Sequence, residues 1–235
     1  MVQIYHYGLL YLCVIEKIIM RLLLVSATVF EIAPFLKEIN ASAEDTILST
    51  HTYNQHQIDV LLTGVGTTHT AFYLGKHLTN KYDVVINAGI CGSFNYTLAI
   101  GDVVRIDTDC FADLGAEDDE AFLSLEELKL PGTYYVKNEN SFSHAAFNIL
   151  QTVKGVTLNT THGNTNSIEK FIKRTQAGVE SMEGAAFLFA CNQNKNECIQ
   201  IRSISNYVEK RDRSKWDIAL AIKNLNGILI DFIHQ

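Results

Sequence analysis

The sequence predicts an α/β fold of three layers, α/β/α, with one central sheet covered on both faces. Two observations carry that expectation. Apolar runs such as "RLLLVSA" (21–27), "YDVVINAGI" (82–90) and "ECIQIRSIS" (197–205) are continuous rather than alternating, as in strands buried on both sides. Segments with apolar residues at helical spacing separate them, the order that places helices over a sheet. Composition agrees with a sizeable core: of 235 residues 47% are hydrophobic, with only 2 Pro and 14 Gly. No linker or internal repeat interrupts residues 20–235, which read as a single domain.

The elements follow in order. "RLLLVSA" is a buried strand, and a helix around Glu31–Ile39 comes next. Pro34 belongs in a first helical turn, which puts that helix start past Thr28. "TILSTHTYNQHQIDVLLTG" (46–64) reads as a hairpin, "TTHTAFYLGKHLTN" (67–80) as a helix and 82–90 as a strand. "IGDVVRIDTDCF" (100–111) is a further strand, and 115–140 is acidic and irregular. A helix near Phe142–Val153 precedes the strand "GVTLNT" (155–160). "SIEKFIKRT" is helical, "AGVESM" a short strand and "EGAAFLFACNQN" a small-residue helix. After the strand at 197–205, Trp216 to Phe232 forms an amphipathic closing helix, with Ile218, Ala221, Ile222, Leu225, Leu229 and Phe232 on one side.

Residues 1–19 stand apart. "IYHYGLLYLCVIEKIIMRLLLV" is apolar, but Glu16, Lys17 and Arg21 interrupt it and no A-x-A-like cleavage site follows. Met20 opens the first strand, so residues 1–19 read as an extension or a mis-assigned start; a helix added to the domain is the alternative. No membrane segment is expected. The net charge is −7, from 19 basic and 26 acidic residues, and no Lys/Arg stripe exists to hold a nucleic acid. The 5 Cys are odd in number and widely spaced, which suits core thiols in a reducing, cytoplasmic setting.

In such sheets ligands gather at the carboxyl ends of strands, so "SATVFE", "TGVGTTH", "NAGICGSF", "VESMEG" and "SISNYVE" hold the candidates. "TGVGTT" and "AGICGS" are neither G-x-G-x-x-G nor a phosphate-binding loop; each is a tight turn or a close approach of backbone to ligand. Glu31 either completes a capping box with Thr28 or deprotonates a water. Glu183 either caps the helix after it or accepts hydrogen bonds from a vicinal diol. Asn206 is by itself a turn or cap residue. His162 reads as a hydrogen-bonded structural residue, and no His/Asp/Cys set has metal-ligand spacing.

Together these strings, from Met20 to the C-terminus and in order, resemble the nucleoside phosphorylase/nucleosidase superfamily. "FADLGAEDDEAF" (111–122), "THGN" (161–164) and "ISNYVEKRDRSKWDI" (204–218) resemble the futalosine hydrolases within it. The resemblance implies a nucleoside phosphorylase-like mixed sheet, a homodimer or larger homo-oligomer, a purine nucleoside substrate and no metal or cofactor. It implies cleavage of the N-glycosidic bond of futalosine or aminofutalosine in menaquinone biosynthesis. Residue by residue, it gives Glu31 the activation of water and Glu183 the ribose hydroxyls, with Met182 beside the sugar. Gly89, Ile90 and Gly92, and more loosely Asn164 and Thr165, border base and sugar. Asn206 stands where the methylthioadenosine/S-adenosylhomocysteine nucleosidases carry an aspartate.

That departure has a chemical reading. An amide offers one acceptor and one donor, which matches N7–H and O6 of a departing 6-oxopurine. Superfamily phosphorylases hold phosphate with arginines, whereas "SATVFE" has none and Asn87 stands in the glycine-rich strand; an anion pocket without Arg or Lys is improbable. Water is the expected attacker. Rival readings are a methylthioadenosine-type nucleosidase, a purine nucleoside phosphorylase, and a non-catalytic nucleoside-binding protein. Lys210, Arg211 and Arg213 are candidates for the benzoate end of futalosine, and the acidic loop 113–120 either closes over substrate or is solvated.

Overall fold

A computed structural model of the chain describes residues 20–42 and 46–235; the extension expected at 1–19 lies outside the described residues. Its strands are β1 (Arg21–Ser26), β2 (Leu48–Tyr53), β3 (His56–Leu62), β4 (Val84–Ser93), β5 (Val103–Cys110), β6 (Gly115–Asp118), β7 (Ala121–Ser124), β8 (Tyr135–Lys137), β9 (Gln151–Thr157), β10 (Val179–Ser181) and β11 (Cys198–Tyr207). The helices are α1 (Val29–Glu38), α2 (Thr67–His77), α3 (Ala145–Asn148), α4 (Thr165–Thr175), α5 (Gly184–Asn194) and α6 (Ile218–His234).

Nine of the strands form one sheet, ordered β10-β9-β5-β11-β4-β1-β3-β2 with β8 attached to β5. Neighbours around β1 and β4 are parallel, whereas β5 runs antiparallel to β11 and β2 to β3, so the sheet is mixed. The continuous apolar strands serve two cores. Leu22 and Leu24 of β1 pack with Ile32 and Phe35 of α1 and Leu225 and Leu229 of α6. Leu23 and Val25 face the other way, onto Leu74 of α2 and Phe187 and Leu188 of α5. The expected three layers are present there. The far half of the sheet curls until β10 pairs antiparallel with β4 as well as parallel with β9, and α4 covers that closed part through Ile168 and Phe171.

Three local expectations are corrected. The helix placed at Phe142–Val153 is only α3, and β9 begins at Gln151. Phe142 donates its N–H to the Cys198 carbonyl (3.0 Å) and Gln151–Lys154 pairs with β5; ladder bonds override apolar spacing there. The irregular stretch 115–140 contains the β6–β7 hairpin and β8. The helix after β1 does start past Thr28, at Val29, but Pro34 lies inside it rather than in its first turn.

The side chain that makes this proline tolerable comes from α6. A helical Phe35 N–H would bond to the Glu31 carbonyl, one residue from the carbonyl that Pro34 cannot use. Asn226, fully buried, takes both partners instead: its Oδ1 accepts from Phe35 N (2.9 Å) and its Nδ2 donates to Glu31 O (2.8 Å). The closing helix therefore grips the first turns of α1, and with them Glu31.

Candidate active site

A cavity of about 370 Å³ opens where β1, β4, β10 and β11 end. Glu31 reaches it from the start of α1. It also stands in a capping box with Thr28, and that bond leaves the carboxylate at the cavity. Its Oε2 accepts from Thr28 N (3.1 Å), Thr28 Oγ1 (3.0 Å) and Ser26 Oγ (3.4 Å), while Oε1 accepts from Ile90 N (3.0 Å). Oε1 keeps a lone pair for a water. Gly89 lies against this oxygen: a Cβ there would stand 3.0 Å from Oε1.

Glu183 occupies the N-cap position of α5, yet its side chain caps nothing in that helix. It turns across the cavity floor instead. Oε1 accepts from Gly66 N (3.2 Å), where Gly66 holds φ 103 at the start of α2, and Oε2 accepts from Met182 N (3.3 Å). Burial pushes its carboxyl up, Arg202 pulls it back, and the Glu31 charge raises it further.

Arg202 is the buried neighbour of the site that sequence reasoning did not single out. It is fully buried on β11, with one guanidinium nitrogen 3.9 Å from Glu183 Oε2 and hydrogen-bonded to Asn87 Oδ1. Its other nitrogen donates to the carbonyls of Ile201 (3.1 Å) and Asn87 (3.4 Å). β11 therefore supplies a buried arginine to Asn87 and Glu183, although it does not line the cavity. A charge inside the apolar run "CIQIRSIS" was the available signal, since a buried Arg requires a partner.

Asn206 is not in a turn. It lies within β11, just past a register shift after Ile204, in line with Gly92 of β4; such bulges re-aim side chains. Its Oδ1 accepts from Ser205 Oγ (2.8 Å) and its Nδ2 donates to Tyr207 O (3.0 Å), leaving one lone pair and one N–H for a ligand. A Cβ on Gly92 would meet Val208 Cγ2 at 2.8 Å and Asn206 Nδ2 at 3.4 Å, so the strand needs glycine there.

Ile90, Gly92, Met182, Glu31, Glu183 and Asn206 all line the cavity. Asn164 and Thr165 do not. Asn164 caps α4 through bonds from Asn166 N (3.0 Å) and Ser167 N (3.2 Å) and borders a neighbouring cavity beside His162, and with Thr165 and Lys210 a separate small one. Of the basic residues named for the far end of a substrate, Arg211 reaches the cavity, its guanidinium 4.9 Å from the Trp216 ring. His162, expected to be structural, is hydrogen-bonded to Glu180 and also lines the cavity.

The family profile described as "Phosphorylase superfamily" matches residues 21–234, almost all of the described chain. This chain belongs to the phosphorylase superfamily. Within that superfamily it is similar to futalosine hydrolase of Acidothermus cellulolyticus, 30% identical over 175 residues, 71% of each chain. A 5'-methylthioadenosine/S-adenosylhomocysteine nucleosidase of Colwellia psychrerythraea is 26% identical over 223 residues, 85% of this chain and 90% of that one. The solved futalosine hydrolase of Helicobacter pylori superposes with a TM-score of 0.75 at 16% identity, covering 92% of this chain and 98% of its own. That last likeness speaks for the fold: the nucleoside phosphorylase-like mixed α/β sheet expected of this superfamily.

Proposed function

We propose that this chain is a nucleosidase that hydrolyses the N-glycosidic bond of futalosine or aminofutalosine, releasing hypoxanthine or adenine, as a step of menaquinone biosynthesis in the cytoplasm. The observation that carries it is the convergence of Glu31, Glu183 and the Asn206 amide on one cavity. Glu31, anchored by four donors with one lone pair to spare, takes a proton from water as it attacks C1′. Glu183 accepts the ribose hydroxyls from the floor. Asn206 accepts from N7–H and donates to O6, an interaction that strengthens as charge builds on the base and is worth about 3 kcal/mol by analogy with one oxyanion-hole donor. Arg202 does not supply a phosphate site, because Glu183 and Asn87 already engage its guanidinium.

The curated futalosine hydrolases support the substrate, and the carboxylate pair argues against a non-catalytic binding protein. The reading includes no metal or cofactor and a homo-oligomer. The test is base release from futalosine, aminofutalosine, methylthioadenosine and inosine, followed by chromatography. Futalosine or aminofutalosine should be fastest, and methylthioadenosine as best substrate would move the chain to the rival branch. In Asn206→Asp the ratio of 6-amino to 6-oxo turnover should rise at least about tenfold, the scale of one hydrogen-bond mismatch. An unchanged ratio would refute the role given to Asn206.

A further inference from the structure

An asparagine at the base end leaves one requirement unmet. When the C1′–N9 bond breaks, its electron pair moves onto the purine, which leaves readily only if it gains a proton. Asn206 has no titratable proton to give. The titratable groups lining the cavity are Glu31, Glu180, Glu183, His162, Cys91 and Arg211. The proposed reading assigns Glu31 to water and Glu183 to the sugar. Burial pushes the Cys91 thiol up to about 12, and a guanidinium does not release its proton in proteins.

What remains is Glu180 with His162. Glu180 is paired with Gly92 across β10–β4, and Asn206 with the same Gly92 across β11–β4. The two side chains thus leave the sheet side by side, two strands apart, over a residue that has none. A Cβ at Gly92 would lie 3.5 Å from Glu180 Cγ and 3.4 Å from Asn206 Nδ2. The glycine keeps the floor between them open to a base. His162 is bound to this carboxylate twice, through its backbone N–H (3.1 Å to Oε1) and its ring Nδ1 (2.7 Å to Oε2). A carboxylate only accepts, so Nδ1 is the donor, and Nε2 is the nitrogen that gains a proton when the ring becomes imidazolium and gives it up again. Phe171 lies 4.2 Å from the imidazole between ring centroids, and Phe94 meets it edge-on at 6.0 Å.

We propose that His162 is the general acid of base departure and Glu180 its positioning residue, an inference that rests on the nucleosidase reading above. The imidazolium Nε2–H passes its proton to purine N7, directly or through one water, as the C1′–N9 electrons move into the base, and Asn206 Oδ1 accepts from N7–H once the proton is delivered. The water oxygen bonds to C1′ and its proton goes to Glu31. Exchange with solvent then returns both side chains to their starting states. A pair that only ties the 161–164 loop to β10 would not distinguish leaving groups.

The test compares futalosine with its N7-methyl cation, whose base already carries the positive charge that protonation would supply. His162→Gln should slow futalosine at least about 100-fold, the lower end of general-acid contributions, and leave the N7-methyl cation nearly unaffected. Glu180→Gln, which still offers the ring an acceptor, should show the same selectivity at smaller size and serves if His162→Gln unfolds. Equal slowing of both compounds in folded variants, or no slowing of futalosine, overturns the proposal while the nucleosidase reading stands. Failure of the unaltered protein to release base from any nucleoside overturns both.

Discussion

Two buried carboxylates in this molecule are treated in opposite ways. Asp59, 1% exposed on β3, accepts from Thr50 Oγ1 (2.7 Å), Lys81 Nζ (2.8 Å) and Tyr82 Oη (2.7 Å). Burial raises its carboxyl, but those three partners outweigh burial and hold it below the ordinary range. Glu183, 8% exposed, has two longer backbone donors and an arginine 3.9 Å away, and burial wins. The first carboxylate stabilises the fold. The second faces the cavity with few partners of its own, and its ionisation costs stability; the proposed function gives it the ribose hydroxyls.

That contrast can be broken or sharpened, and the largest effect is expected at Glu31. Glu31→Gln should lower kcat about 10²- to 10⁴-fold, the usual span for a lost general base, with an unchanged unfolding curve. A large loss of stability instead would mean that capping is its main service. Asn226→Leu should come next, because Phe35 N–H and the Glu31 carbonyl lose their partner at a buried site. Each such group costs about 1–3 kcal/mol, so a denaturant titration should show a lowered midpoint, and kcat should fall with it as α1 loosens.

Asp59→Asn should destabilise by about 1–3 kcal/mol and leave turnover unaltered. Reduced activity at full stability would erase the distinction between the two carboxylates. The smallest effects are in pH dependence. Asp59, lowered in the fold, contributes stability above its unfolded value that is lost as pH falls, so Asp59→Asn should flatten the acid side of a Tm–pH curve. Glu183, raised in the fold, loses stability as pH rises from its unfolded value through its folded one. Glu183→Gln should therefore remove a decline in Tm as pH rises above the unfolded carboxyl value, while weakening substrate binding. Identical slopes for both variants and the parent would contradict the assigned directions.

The strands were legible because sheet burial on both faces writes itself as unbroken Leu/Val/Ile runs, and the site positions because such sheets bind at strand ends. The closure of β10 onto β4 was not legible. It depends on Val179 and Glu180 meeting Ser93 and Gly92, more than eighty residues away in sequence, and no local pattern encodes that meeting. Pro34 misled for a similar reason: the compensating amide of Asn226 sits 191 residues from Phe35. Arg202 showed itself as a charge in an apolar strand, but Asn87 and Glu183 as its partners required the fold. Asn206 looked like a turn residue by propensity and proved to be part of a strand, where its amide faces a cavity rather than a corner.

The central claim is that water, deprotonated by Glu31, takes the place a phosphate would occupy. Following futalosine turnover by base release and by ³¹P NMR, with and without inorganic phosphate, tests it most directly. The expected result is hypoxanthine and a free sugar hemiacetal at a rate indifferent to phosphate, with both formed about 10²- to 10⁴-fold more slowly by Glu31→Gln. A rate that rises with phosphate, together with a new sugar 1-phosphate resonance, would contradict it.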